Sequence, residues 1–212
     1  MKFLPILFLL LSFGPNLLRA DLLHQAAVRA GLQEFDQIES LAFTFKLEVP
    51  GRQITRSWFW NPGSAQVTRT LPDGQQLTFR RHAIGSEEER IAESQFINDL
   101  YWLIFPIAAI WDGQATVTDQ GSDAMPISGS PGRRLEVAYP PDGSGFTPGD
   151  TYVLFLDSEN LVREWIFIRG EQQRPATFEG YQQFGPLHIA TLHRGPDPSF
   201  KLTFTDISVQ LK

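Results

Sequence analysis

The sequence holds four histidines, His24, His82, His188 and His193. His188 and His193 share one stretch of strand character, but an odd spacing of five turns them to opposite faces, so they cannot ligate one ion. No HExxH pair, EF-hand loop or Gly-rich phosphate cradle occurs. A nucleophilic serine would be flagged by GxSxG or SxxK, and neither is present; Ser130 and Ser144 stand in the turn sequences Ser-Pro-Gly and Gly-Ser-Gly. Glu136, Glu164 and Glu179 lie on strand-like stretches, where the expected carboxylate is outward and solvated. A hydrolase assembled from such dispersed carboxylates is the one enzymatic reading left. The chain has no cysteine, which removes thiol catalysis and zinc-thiolate sites. The expectation is a protein with no catalytic residues, no metal and no cofactor.

Aromatic bulk exceeds expectation. Phe, Trp and Tyr make up 12% of the chain, and many fall on strand faces, among them Phe43, Phe45, Trp58, Trp60, Tyr152, Trp165 and Phe167. A curved sheet carrying such faces encloses either a large packed core or an apolar cavity.

The elements that must position these residues follow from periodicity. Lys2, the apolar run Phe3 to Phe13 and Leu18-Arg19-Ala20 have the order of a secretory signal peptide, residues 1–20, with cleavage expected after Ala20 and a periplasmic destination. Its loss removes two of the 18 Lys and Arg and none of the 24 Asp and Glu, taking the formal charge from -6 to -8. That balance, with no clustered cations, excludes nucleic acid as a partner. Residues 21–212 read as a single domain. Leu22, Leu23, Ala26, Ala27 and Ala30, and again Phe35 and Ile38, form a helical stripe interrupted at Gly31, which reads as one amphipathic helix or one broken in two. From Leu41 the period becomes two, and four strands joined by short turns form a meander to His82.

Ser86, with Glu88 and Glu89 behind it, has the pattern of a helix N-cap, and an apolar run follows to Trp111, with Pro106 expected to kink or end the helix. Seven further strands follow, about eleven in all, with two loops at Asp119 to Gly132 and Pro140 to Asp150. In the last strand the apolar parity switches from Phe200, Leu202 and Phe204 to Ile207, Val209 and Leu211, which predicts a β-bulge near Thr205 and Asp206. The fold class is mostly β with α: a curved antiparallel sheet of many strands, an N-terminal helix, and a central helical segment that would be its lid or plug.

This order of elements, with Phe178-Glu179-Gly180-Tyr181, Gly185-Pro186-Leu187-His188-Ile189 and the strand Leu202 to Val209, resembles the LolA-like outer-membrane lipoprotein-sorting superfamily. The run Phe96-Ile97-Asn98-Asp99-Leu100-Tyr101-Trp102-Leu103-Ile104-Phe105-Pro106 is similar to a motif of uncharacterised exported proteins of that type. The resemblance implies a strongly curved antiparallel sheet forming an unclosed half-barrel, with helical lids over an apolar chamber, and hence a non-enzymatic periplasmic carrier for a lipid or lipoprotein acyl chain; a monomer is expected. Trp58, Trp60, Trp102, Phe105 and Trp165 are the expected ligand-binding residues. Contact with a membrane would be peripheral or transient at most. The alternative is an envelope module that binds a protein partner through loops and sheet edges over a filled core.

Overall fold

A computed structural model describes residues 15–143 and 145–212, with side chains from residue 22 onward. The expected leader therefore lies mostly outside the described residues. Helix α1 (Pro15–Ala30) is followed by Gly31 and a 3-10 turn (Leu32–Gln37). Gly31 sits at φ 111°, and a Cβ there would stand 2.4 Å from the Pro186 carbonyl oxygen. Only glycine lets the chain leave α1 so close to that backbone.

Strands β1 (Ile38–Val49), β2 (Arg52–Asn61), β3 (Gln66–Thr70) and β4 (Gln76–Arg80) form the expected meander. Helix α2 (Glu87–Asp112) then interrupts the sheet sequence. The Ser86 side chain accepts from Glu89 N at 3.1 Å, and Glu89 Oε2 accepts from Gly85 N at 2.5 Å, which satisfies two amide groups at the helix start. Gly113, at φ 64°, closes its far end. The kink falls at Ile104 (φ -140°, ψ 42°), two residues before the buried Pro106, whose ring excludes a regular turn. No helix among the described residues is long and apolar enough to cross a membrane.

The remaining strands are β5 (Thr116–Ala124), β6 (Pro131–Ala138), β7 (Thr151–Leu156), β8 (Val162–Arg169), β9 (Gln172–Thr177), β10 (Glu179–Phe184), β11 (Leu187–Arg194) and β12 (Lys201–Leu211). They make two antiparallel sheets that do not close: seven strands in the order β10-β11-β12-β1-β2-β3-β4, and five in the order β5-β6-β7-β8-β9. The chain changes sheets at Phe178, between β9 and β10. A stretch that reads as one strand from Ala176 to Phe184 is thus two, and β9 begins earlier, at Gln172. Its composition hid it: Gln172, Gln173 and Arg174 are exposed, and Pro175 is tolerated because β9 is an edge strand. Likewise β5 and β6 extend into the expected loop, leaving a short turn in which Met125 N donates to Ser130 O at 2.8 Å. The bulge in β12 stands as expected: Ala42 pairs Ser208 but Thr44 pairs Thr205, and Asp206 takes φ 53°.

Helix α2 lies between the sheets and carries two apolar stripes. Phe96, Leu100, Leu103 and Ile107 join the core of the seven-stranded sheet, while Tyr101, Phe105, Ala108 and Ala109 join that of the five-stranded sheet. A helix buried on both sides is apolar all round, which explains the greasy run. Its first half is different. Phe96 packs on one side, but Arg90, Ser94 and Asn98 are exposed. Short or charged side chains cannot fill the space between two diverging sheets, and a cavity opens there.

Candidate functional site

That cavity has a volume of about 1080 Å³ and lies between the first half of α2 and the inner faces of both sheets. Its deep wall is apolar: Tyr152 and Trp165 from β7 and β8, Ala176 from β9, and Tyr101 and Trp102 from α2. Phe45, Leu47, Ile54, Phe200 and Leu202 line the side belonging to the seven-stranded sheet. Its mouth is polar, with the exposed Arg90, Arg169, Arg174 and Asp197.

Of the five residues expected to hold a ligand, two reach this wall. Trp102 and Trp165 meet at 4.4 Å between ring centroids and both line the cavity. Trp58 and Trp60 instead pack against Phe96, at 5.4 and 5.6 Å, in the core of the seven-stranded sheet. Phe105 sits behind the wall, 4.5 Å from Tyr152 and 5.6 Å from Trp165, and supports both rings.

Asp99 does what its surroundings in the sequence conceal. It is fully buried, and Arg56 from β2 embraces it: Nε donates to Oδ2 at 2.7 Å and a second guanidinium nitrogen donates to Oδ1. Trp58 Nε1 donates to Oδ2 at 2.8 Å, and Asn98 Nδ2 to Oδ1 at 3.0 Å. Burial pushes the Asp99 carboxyl up, and these donors oppose the rise. The Arg56 guanidinium also stacks over Phe45 at 4.5 Å. This cluster fixes α2 to β2 beside the cavity. An acid inside an apolar helical run was the available signal, since a buried charge must be paired.

The titratable groups nearby serve structure. His193 is buried between Trp102, Phe178 and Phe204. Its Nδ1 lies 2.9 Å from the Thr177 carbonyl oxygen, which can only accept, so the proton is on Nδ1 and Nε2 is bare. Desolvation lowers its pKa to about 3, and the ring stays neutral at physiological pH. Tyr101 donates to Asp112 Oδ2 at 3.1 Å and lies 3.0 Å from Tyr139 Oη; burial pushes both phenols up. Asp112 Oδ2 also accepts from Phe146 N at 2.6 Å, tying the β6–β7 loop, and with it Phe146 of the cavity wall, to the end of α2.

Glu164 departs from expectation: it is buried, and it accepts from Ile127 N at 2.6 Å and Ser128 N at 2.9 Å, pinning the β5–β6 turn. Glu136 and Glu179 make local contacts, with Gln120 and with Thr177 and Arg194. No group of three or more metal-ligating side chains occurs among the described residues.

No protein-family model and no curated protein matches the chain. Among the solved structures that match over nearly all of it are three of the same architecture. A LolA superfamily protein from Nitrosomonas europaea is 11% identical with a TM-score of 0.55, covering 91% of this chain and 93% of that one. A DUF1329 family protein from Desulfovibrio piger is 12% identical with a TM-score of 0.54, covering 92% and 93%. A putative outer membrane lipoprotein-sorting protein domain from Vibrio parahaemolyticus is 12% identical with a TM-score of 0.52, covering 92% and 93%. At these identities the likeness is one of architecture, and the architecture of this chain, two unclosed antiparallel sheets around a central helix, is the LolA-like fold.

Proposed function

We propose that this chain is a non-enzymatic carrier that holds the acyl chain of a lipid or lipoprotein in the cavity beside α2, and that it works in the periplasm after export. One observation carries the reading: the walls of a space of about 1080 Å³ are built from Phe45, Tyr152, Trp165, Leu202 and their neighbours rather than closed by them. Apolar pockets of roughly 300–1000 Å³ are the usual size for holding small molecules. Burial yields on the order of 0.8 kcal/mol per methylene, so a sixteen-carbon chain would gain about 12 kcal/mol before ordering costs, enough to compete with a bilayer. The lipoprotein-sorting role named for the Vibrio parahaemolyticus protein of the same fold agrees with this chemistry.

The test is titration with N-phenyl-1-naphthylamine, an uncharged dye that fluoresces in apolar surroundings. Saturable enhancement, reversed by a C16 amphiphile and accompanied by a change in tryptophan emission from Trp102 and Trp165, is the expected result. Dye that shows no enhancement, or enhancement that no amphiphile reverses, overturns the proposal.

A further inference from the structure

The cavity wall changes character along one ladder. In the β8–β9 pair, Trp165 stands opposite Ala176, Phe167 opposite Arg174, and Arg169 opposite Gln172. Residues directly opposite in an antiparallel pair, and every second residue along a strand, share a face. Trp165 and Ala176 are each 1% exposed, Phe167 is half-buried, and Arg169 and Arg174 are exposed. Two residues of strand advance about 6–7 Å, so within about 13 Å the wall passes from a buried indole to a pair of guanidinium groups.

These cations differ in how they are answered. Arg169 donates to both oxygens of the buried Asp150, at 2.7 and 2.5 Å, Arg56 is held by Asp99, and Arg90 pairs with Glu87. Glu93, the acid on the helix side, pairs with Arg81. Arg174 donates at 2.6 Å to the uncharged Gln172 Oε1, and no ion pair among the described residues includes it. The other mouth carboxylate, Asp197, is on the far side of the chain order, in the β11–β12 turn, where Ser199 N and Oγ donate to it. A chain carrying a formal charge of -6 has no general surplus of cations to explain an uncompensated arginine at this mouth.

From this ladder we infer that the cavity selects amphiphiles with an anionic head group, a carboxylate or a phosphate, with the tail against Trp165, Ala176 and Tyr152 and the head on Arg174. This inference rests on the carrier reading. A tail lodged in the deep wall places its head one to two residue pairs outward, where Arg174 offers a planar, bidentate donor at the edge of an apolar surface.

The experiment is displacement of N-phenyl-1-naphthylamine, at low salt and below micellar concentrations, by hexadecanoate, hexadecyl phosphate, hexadecanol and hexadecyltrimethylammonium. The anions should displace dye at about two- to fivefold lower concentration than the alcohol, since a partly exposed ion pair adds that much, and the cation should be the weakest. In Arg174→Gln the ratio of anion to alcohol should fall to about one, Arg174→Lys should retain part of it, and Arg80→Gln, the same charge change away from the cavity, should leave it intact. Equal displacement by anions and alcohol, or a preference that survives Arg174→Gln, overturns the inference while the carrier reading stands. Failure of every amphiphile to displace dye overturns both.

Discussion

Asp99→Ala tests how the cavity's helix is held. The carboxylate is fully buried and accepts from Arg56 twice, from Trp58 and from Asn98. Its removal leaves the Arg56 guanidinium, whose side chain is 11% exposed, without its counter-charge, and leaves the Trp58 indole N–H without an acceptor. Breaking one side of a buried pair costs about 3–5 kcal/mol, a large share of the roughly 5–15 kcal/mol that holds a domain. With a urea dependence of about 2 kcal/mol per molar, the midpoint should fall by about 2 M. The double variant Arg56→Met with Asp99→Leu removes both charges and leaves the Trp58 indole as the buried donor without an acceptor, the exposed Asn98 amide being free to bond water, so it should recover to within about 1–3 kcal/mol of the parent. Equilibrium urea unfolding followed by tryptophan fluorescence measures both. A loss below about 1 kcal/mol in the single variant, or a double variant no better than the single, would refute the assignment.

Three further outcomes follow. His193, with a pKa of about 3 when folded against an ordinary 6.5, binds more protons unfolded than folded between those values. Its contribution is therefore present above pH 6.5 and lost as the pH falls toward 3, at up to about 1.4 kcal/mol per pH unit. Between pH 6.5 and 5, urea stability should drop more steeply in the parent than in His193→Phe by about 1–2 kcal/mol, and parallel curves would contradict this. Gly31→Ala, which drives a Cβ to 2.4 Å from Pro186 O at φ 111°, should cost about 3 kcal/mol, whereas Gly74→Ala at φ 84° meets no neighbour within 4 Å and should cost about 1 kcal/mol; equal losses would count against the close approach. Ile97→Trp on the cavity face of α2 should cut dye binding at least about tenfold with the urea midpoint little changed, while undiminished binding would move the ligand elsewhere.

How much of this was legible depended on whether the signal was local. The cap at Ser86 and the bulge at Asp206 each follow from a few adjacent residues and stand where the sequence places them, and of the two outcomes Pro106 allows, a kink or an end, the helix takes the kink, two residues earlier at Ile104. The mostly β class with antiparallel strands followed from strand periodicity and short turns, and the unclosed half-barrel from the resemblance to the LolA-like superfamily. Strand β9 was hidden because an edge strand needs little apolar surface, and Gln172 to Pro175 offer none. The cavity wall was half legible for a different reason. An aromatic residue on a strand face says that the face is covered, but not by what. Trp58 and Trp60 meet Phe96, which fills their space, whereas Trp165 meets Trp102 at the wall of a space that Ser94 and Asn98 also line. The Arg56–Asp99 pair and the unanswered Arg174 depend on contacts between residues far apart in sequence, which periodicity does not carry.

A carrier of this kind holds a hydrocarbon chain in its cavity in the cell. Native mass spectrometry of the full chain, purified without detergent from cells that export it, addresses this directly. A loaded cavity should give a population heavier than the polypeptide by the mass of a lipid, released as an acyl-chain species on organic extraction, and depleted in the Ile97→Trp variant. A single species at the polypeptide mass, with no lipid in the extract and no uptake when the protein is incubated with vesicles of phosphatidylglycerol and phosphatidylethanolamine, would contradict it.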